Sequence, residues 1–266
     1  MRRLRRLVQK RSLRWSEGVC VIEGPDLVEA ALDAHVEFEA LYLDADSLND
    51  IRVAALSSRA SHEGVRVFSL ASGVLDRVAD AQTSQPAIAT VRMPLSGLED
   101  VAPDGLVLVL HDLRDPGNAG TIIRSADAAG ASAVIFTGQS VDPFNPKTLR
   151  ATAGSIFHLP VVVAPLESSV VYFEVRGFQS YATMVRGGMN LRELDLTSPS
   201  IVVIGNEAAG LDETAIGLCS HTVSIPMAGR SESLNAGVAA SLVAFEALWQ
   251  RQDAEGSGAR PSLGGP

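Results

Sequence analysis

Two uninterrupted apolar runs constrain this chain more than any other feature in it: LVLVL at residues 106–110 and IVVI at residues 201–204. A strand with one wet face alternates apolar and polar residues, because successive side chains point to opposite sides of the sheet. A strand that lacks the alternation is covered on both faces, as in a parallel sheet with helices packed above and below. The neighbouring segments have the matching character. Residues 121–129, 147–152 and 167–175 have helical period, and residues 133–136, 159–163, 180–184 and 222–227 read as further strands. Residues 105–251 therefore predict an α/β domain built on a parallel sheet.

In open parallel sheets, ligands bind outside the carboxyl ends of the strands. Three loops of this chain fall there. The first is DPGNAGTIIR, residues 115–124, in which Gly117 and Gly120 allow close backbone approach, Asn118 is placed to cap a helix, and Arg124 lies about two turns in. The second is IGNEAAGLD, residues 204–212, where Gly205 and Gly210 flank Asn206 and Glu207. The third runs from Ile225 to Asn235 and ends in SESLN, with Ser233 expected to cap the long helix that follows. On that helix Leu234, Val238, Leu242, Phe245 and Trp249 recur every three or four residues and predict one buried apolar face. Ala236, Gly237, Ala239 and Ala240 are small enough for another backbone to come close. No loop matches the dinucleotide or phosphate-cradling glycine patterns, and there is no G-x-S-x-G elbow of the α/β hydrolases.

The N-terminal part alternates strand and helix on a smaller scale. Strands are expected at 18–23, 38–43, 65–70 and 87–93, and helices at 26–35, 48–62 and 72–79. The stretch PLSGLEDVAPD at 94–104 holds two prolines and several acids. This composition sets a first domain at 1–94 and a linker at 95–104, and residues 252–266, rich in Gly, Ser and Pro, are expected to be a disordered tail.

Charge is unevenly distributed. Residues 1–14 carry seven basic side chains and no acid, within a chain of net charge −9. An acidic body does not attract a polyanion, but a basic arm does, through phosphate contacts and counterion release; a solvated loose terminus is the competing expectation. Cys20 and Cys219 lie far apart with no metal-ligand spacing, as expected of free thiols in a reducing cytoplasm. No cluster of His, Cys and carboxylates suggests a metal. No apolar run approaches the roughly 20 residues of a membrane helix, and the basic start lacks the apolar core of a signal peptide, so neither membrane insertion nor secretion is expected.

The wording of the three loops, DPGNAGTIIRSADAAG, IGNEAAGLD and SIPMAGRSESLNAGVAASLVAFE, resembles the three motifs of the SpoU (TrmH-like) branch of the SPOUT RNA methyltransferases. NPKTLRATAGSIFHLPV at 145–161 is similar to the segment after the first motif, and residues 10–32 resemble the start of the ribosomal-protein-like RNA-binding domain common in that family. The resemblance implies a parallel-sheet domain with a deep trefoil knot, a homodimer, and S-adenosylmethionine bound in the knotted loops. By position it assigns Thr183, Gly205, Asn206, Gly210, Ile225, Met227 and Leu234 to the cofactor. Apolar Ile225, Met227 and Leu234 are suitable walls for an adenine. The implied reaction is methyl transfer to a ribose 2′-hydroxyl of RNA, with ribosomal RNA preferred over transfer RNA. A ribosome-protecting enzyme of antibiotic resistance has the same architecture. Arg124 is the family residue assigned to the hydroxyl, yet a guanidinium stays protonated and has no acceptor atom. Its expected task is to grip the neighbouring phosphate and stabilise the developing alkoxide. Asn118, Glu207, Ser233 and Asn235 would orient Arg124 or the hydroxyl, with Glu207 a candidate proton acceptor. The rival of a different class is a non-catalytic RNA-binding protein that keeps the fold.

Overall fold

The computed structural model describes residues 1–78 and 85–258, apart from the side chains of 256–258. Two units form: residues 1–95 with 141–158, and residues 96–140 with 159–266.

The first unit begins with the basic arm, which is not a loose terminus. It folds into α1 (Arg2–Gln9) and α2 (Arg11–Glu17), and Gly18 ends α2 at φ 65, a left-handed turn that suits glycine. Leu4, Leu7 and Val8 lie one helical turn apart and are buried against Val19, Val21 and Ile88. β1 (Val19–Glu23), α3 (Pro25–Asp33), β2 (Phe38–Asp44), α4 (Ile51–His62), β3 (Val67–Leu70) and β4 (Ala87–Arg92) follow. The sheet order is β1-β4-β2-β3, with only β2 and β3 parallel. Residues 72–78, expected to be helical, form turns instead, and Ala79 of that expected helix lies outside the described residues. Leu75 and Val78 are nonetheless buried in the same cluster as Leu4 and Leu7, so the apolar spacing reflects packing rather than a helix.

The stretch expected to be a linker is partly regular. Leu95–Ser96 is a two-residue strand, β5, and Leu98–Asp100 is a 3-10 turn in which the Asp100 carboxylate accepts from the Gly97 N–H at 2.7 Å. The second unit continues with β6 (Leu106–His111), α5 (Pro116–Ala128) and β7 (Ala133–Thr137). The chain then returns to the first unit with α6 (Pro146–Thr152). There the Arg14 guanidinium, 2% exposed, meets Asp142 at 2.5 Å, and Arg150 meets the fully buried Glu23 carboxylate at 2.6 Å. β8 (Val161–Val163), α7 (Leu166–Glu174), β9 (Gln179–Met184), β10 (Met189–Asn190), β11 (Ser200–Ile204), α8 (Glu213–Gly217), β12 (His221–Ser224) and α9 (Ala236–Gly258) complete the second unit.

Its sheet has the order β10-β12-β9-β11-β6-β7-β8-β5. Every pair from β10 through β8 is parallel. The unalternated runs account for this: all five residues of β11 are buried, and Val107, Val109, Ile201 and Val203 share one core cluster with Ile135 and Phe173. From β6 the chain moves to β7 and β8 on one side and then to β9 on the other, beyond the later β11, so the topological switch point lies at the carboxyl ends of the β6/β11 pair.

The last helix differs from expectation in three ways. Its cap is Asn235, whose Oδ1 accepts from the Val238 N–H at 3.2 Å, and Ser233 sits in the preceding loop. It continues to Gly258, so residues 252–258 of the expected tail are helical, and 259–266 lie outside the described residues. It also buries its small side, Ala236, Ala240, Ala244 and Ala247 with Val243, while Val238, Leu242 and Trp249 stay 48%, 38% and 51% exposed. The reason is close packing on α5. A methyl group at Gly237 would lie 3.4 Å from the Thr121 Cγ2, and the Ser241 hydroxyl donates to that of Ser125 at 2.7 Å.

Candidate functional site

The second and third loops meet at the switch point around one cavity of about 260 Å³, near the lower end of the volumes that hold drug-sized ligands, and the first loop is tied to them by hydrogen bonds without lining it. Its lining includes Thr183, Gly205, Asn206, Glu207, Gly210, Ile225, Met227, Ser233 and Leu234. The structure thus brings together the seven residues expected at the cofactor and two of those expected at the reacting end. Met184, Val185, Leu211, Ala239 and Val243 also line it and were not assigned to the cofactor from the sequence. Met184 and Val185 follow Thr183 off the end of β9, so the strand-end rule that selected the other loops selects them too.

The second loop owes its shape to two glycines and an asparagine. Asn206 and Gly210 bond each other's backbones at 3.1 and 2.9 Å, closing a tight turn with Gly210 at φ 71. A methyl group at Gly205 would lie 2.4 Å from the Gly210 carbonyl carbon and 2.6 Å from the Leu211 nitrogen, so only glycine fits. The Asn206 side chain braces the turn on both sides. Its amide donates to the Asp112 carbonyl at 2.9 Å, and its oxygen accepts from the Ala208 and Ala209 N–H groups at 2.9 and 3.0 Å.

Glu207 links the second loop to the first. One carboxylate oxygen accepts from the Asp115 N–H and the Asn118 side-chain amide, both at 3.0 Å, and the other accepts from the Arg114 N–H at 3.2 Å. Asn118 in turn accepts from the Asn235 side-chain amide at 2.9 Å, so Asn235, Asn118 and Glu207 form one chain across all three loops. Asn118 does not cap α5; Asp115 does, its carboxylate accepting from the Asn118 N–H at 2.7 Å. Burial pushes the Glu207 carboxyl up, but the Asn118 amide and the surrounding backbone N–H groups outweigh it and hold the pKa below the ordinary 4.5. A carboxylate that is stabilised in this way and receives three donors makes a poor base, and its geometry is that of a clamp.

Arg124 lies six residues beyond Asn118 on α5, about 9 Å along the axis. It is exposed and does not line the cavity, and among the described residues no carboxylate pairs with it. It remains free to meet a ligand of opposite charge. The cavity suits S-adenosylmethionine by the chemistry of its walls: apolar Leu211, Ile225, Met227 and Leu234 can enclose an adenine, and Glu207 offers a negative charge to a sulfonium. Among the described residues no group of three or more His, Cys, Asp or Glu is placed to hold a metal. No helix there is long and apolar enough to cross a membrane.

Comparison with known proteins places the chain in a family. Residues 105–245 match the SpoU rRNA Methylase family, and residues 1–89 match the MRM3-like substrate binding domain. The chain is 34% identical over 227 residues to 23S rRNA (guanosine(2553)-2'-O)-methyltransferase RlmP of Bacillus subtilis (strain 168), covering 85% of this chain and 86% of the relative. It is 38% identical over 193 residues to 23S rRNA (uridine(2479)-2'-O)-methyltransferase of Streptomyces viridochromogenes, covering 69% and 67%. The crystal structure of the SpoU methyltransferase AviRb from the same organism, in complex with the cofactor AdoMet, superposes with a TM-score of 0.83 at 31% identity, over 94% of this chain and 97% of that one. The chain belongs to the SpoU family of methyltransferase enzymes.

Proposed function

We propose that this chain transfers the methyl group of S-adenosylmethionine to a ribose 2′-hydroxyl of RNA, with ribosomal RNA as the substrate. The observation that carries the reading is one cavity lined by the second and third strand-end loops, with the first loop tied to both by the Asn235–Asn118–Glu207 chain. The ribosomal target is favoured over transfer RNA because two relatives matched over two thirds or more of their length are, by name, 23S rRNA methyltransferases.

When bound, the cofactor supplies an electrophilic methyl, so the difficult chemistry is its own. The protein has to hold the hydroxyl in line, leave water access to take its proton, and stabilise the charge that develops on the oxygen. Thr183, Gly205, Asn206, Gly210, Ile225, Met227 and Leu234 form the cofactor pocket. Glu207, Asn118 and Asn235 fix the three loops in register, and Ser233 stands at the cavity wall. Arg124, which no carboxylate pairs with among the described residues, grips the phosphate beside the target ribose and stabilises the developing alkoxide.

The assembly we propose is a homodimer. The exposed stripe of Val238, Leu242 and Trp249, with Phe245 and Trp249 rings 6.0 Å apart, is an apolar surface that a second copy would cover. The Ser241–Ser125 bond places α5, and with it Arg124, beside that stripe. A trefoil knot in the 105–251 domain, with the 1–94 domain recruiting RNA, completes the architecture. Two free cysteines fit a cytoplasmic setting.

The test combines calorimetry with S-adenosylmethionine and transfer of a labelled methyl to ribosomal RNA, followed by mapping of 2′-O-methyl positions. Wild type should bind the cofactor and mark ribose oxygens. Arg124→Ala should keep cofactor affinity within about twofold and lose about a hundredfold in turnover. Near-normal turnover of Arg124→Ala would remove it from the reaction, and a chain that binds no S-adenosylmethionine would be the non-catalytic RNA-binding protein instead.

A further inference from the structure

The proposed function engages the second unit, and it leaves unexplained a pair of rings in the first. β2 and β3 run parallel with Tyr42 directly opposite Phe68. Their rings stack with centroids 5.5 Å apart and planes 18° from parallel. Tyr42 is half-buried against the cluster that contains Leu4, Leu7 and Val8, whereas Phe68 is 45% exposed on the edge strand of the sheet. A large aromatic on an edge strand is a liability for a soluble protein, because it invites unwanted pairing and exposes apolar area.

The surroundings of the pair are cationic. Arg66 precedes Phe68 by two residues, which puts it on the same side of the strand. It is exposed, and its Nε donates to the Glu39 carbonyl at 3.1 Å. Arg3, 48% exposed, reaches the same Glu39 at 2.8 Å and also pairs with Glu17. α1 packs on the Tyr42 side of the sheet through Leu4, Leu7 and Val8, and it carries Arg2, Arg5 and Arg6 on its outer surface. Among the described residues no carboxylate pairs with those three arginines. An exposed ring two residues from Arg66, on the sheet face that α1 covers, offers single-stranded RNA a π-face for a base, and the unpaired α1 arginines supply cations for phosphates.

We propose that Phe68, backed by Tyr42, is a stacking platform for one unpaired base of the RNA substrate, with Arg66 and the α1 arginines holding the phosphates on either side. The proposal rests on RNA being the substrate, and it adds that the first unit reads an unstacked nucleotide rather than a duplex. A double helix buries its base faces and offers Phe68 nothing to stack on.

The probe is an unstructured RNA of about 12 nucleotides carrying 2-aminopurine, whose fluorescence falls on stacking, titrated with the full chain. Wild type should bind it and quench it. Phe68→Leu keeps the apolar volume and removes the π-face, and should weaken binding about tenfold and abolish the quench. Phe68→Trp should restore both. A duplex of the same length should bind wild type and Phe68→Leu equally. S-adenosylmethionine affinity, measured on the same samples, should be unchanged in both variants, which separates a lost platform from a lost fold. The proposal is overturned if Phe68→Leu binds and quenches the single strand like wild type, or if neither protein binds RNA. In either case methyl transfer to ribosomal RNA by the wild type would leave the proposed function standing without the platform, and its absence would remove that function as well.

Discussion

Two carboxylates in this molecule each gather several hydrogen-bond donors, and the donors differ in charge. Asp142, in the first unit, takes the Arg14 guanidinium through Nε and Nη2 at 2.9 and 2.5 Å, the Trp15 indole at 3.2 Å and the Phe144 N–H at 3.1 Å. Glu207, in the second unit, takes only neutral amides. Asp142 is 4% exposed and its charge is cancelled where it sits, because a buried anion without a cation is very unfavourable. Glu207 has no cation beside it among these donors, and the residue lines a cavity. The difference distinguishes a hub that closes a structure from one that leaves an electrostatic demand for a ligand to meet.

The largest effect should come from breaking the neutral hub. Arg14→Ala would leave Asp142 buried and unpaired, along with the Leu7 and Val8 carbonyls that the guanidinium also bonds. A loss of about 3–5 kcal/mol in the stability of the first unit is expected, read by denaturant titration. The double change Arg14→Met with Asp142→Leu should be more stable than Arg14→Ala, since the penalty is the stranded charge rather than the missing bond. If Arg14→Ala unfolds at the same denaturant concentration as wild type, the pair is not the keystone described here.

The basic arm shows how far the sequence could be read. Seven cations in fourteen residues looked like a solvent-exposed feature, and for Arg2, Arg5 and Arg6 it is. Arg14 went to the core, because its partner lies 128 positions away and no local pattern links the two. The same limit explains the cap of α9. Ser233 and Asn235 are equally good caps by type, and only the packing of α9 on α5 selects Asn235, whose amide is drawn to Asn118. It explains the helix face as well. Helical spacing correctly marked Val238, Leu242 and Trp249 as one stripe, but periodicity cannot say whether a stripe faces its own core or the outside. The parallel sheet and the three loops were legible because unalternated runs and strand-end glycines are local signals. The Glu207–Asn118–Asn235 chain was legible only as a set of suitable residue types, since its members come from three separate loops.

The charged hub can be tested with a smaller and more specific change. S-adenosylmethionine carries a positive sulfonium, and its demethylated product S-adenosylhomocysteine carries a neutral thioether at the same place. Glu207→Gln removes the charge and also presents an amide to the N–H groups of Arg114 and Asp115, so both ligands should bind more weakly. The ratio of the two affinities isolates the charge. We expect the preference for the sulfonium to fall by about three- to tenfold, as for a pair of charges a few ångströms apart in a half-wet site. The smallest effect is the corresponding pH dependence. The Glu207 pKa is lowered in the folded protein, so the clamp is fully present above the ordinary 4.5 and is lost only as pH falls through the lower folded value. The sulfonium preference should therefore stay flat from neutral pH down to about 5 and decline only in more acidic solution. A preference that Glu207→Gln leaves intact, or that titrates near neutral pH, would mean that another group answers the sulfonium and that the charge on Glu207 serves only to hold the loops.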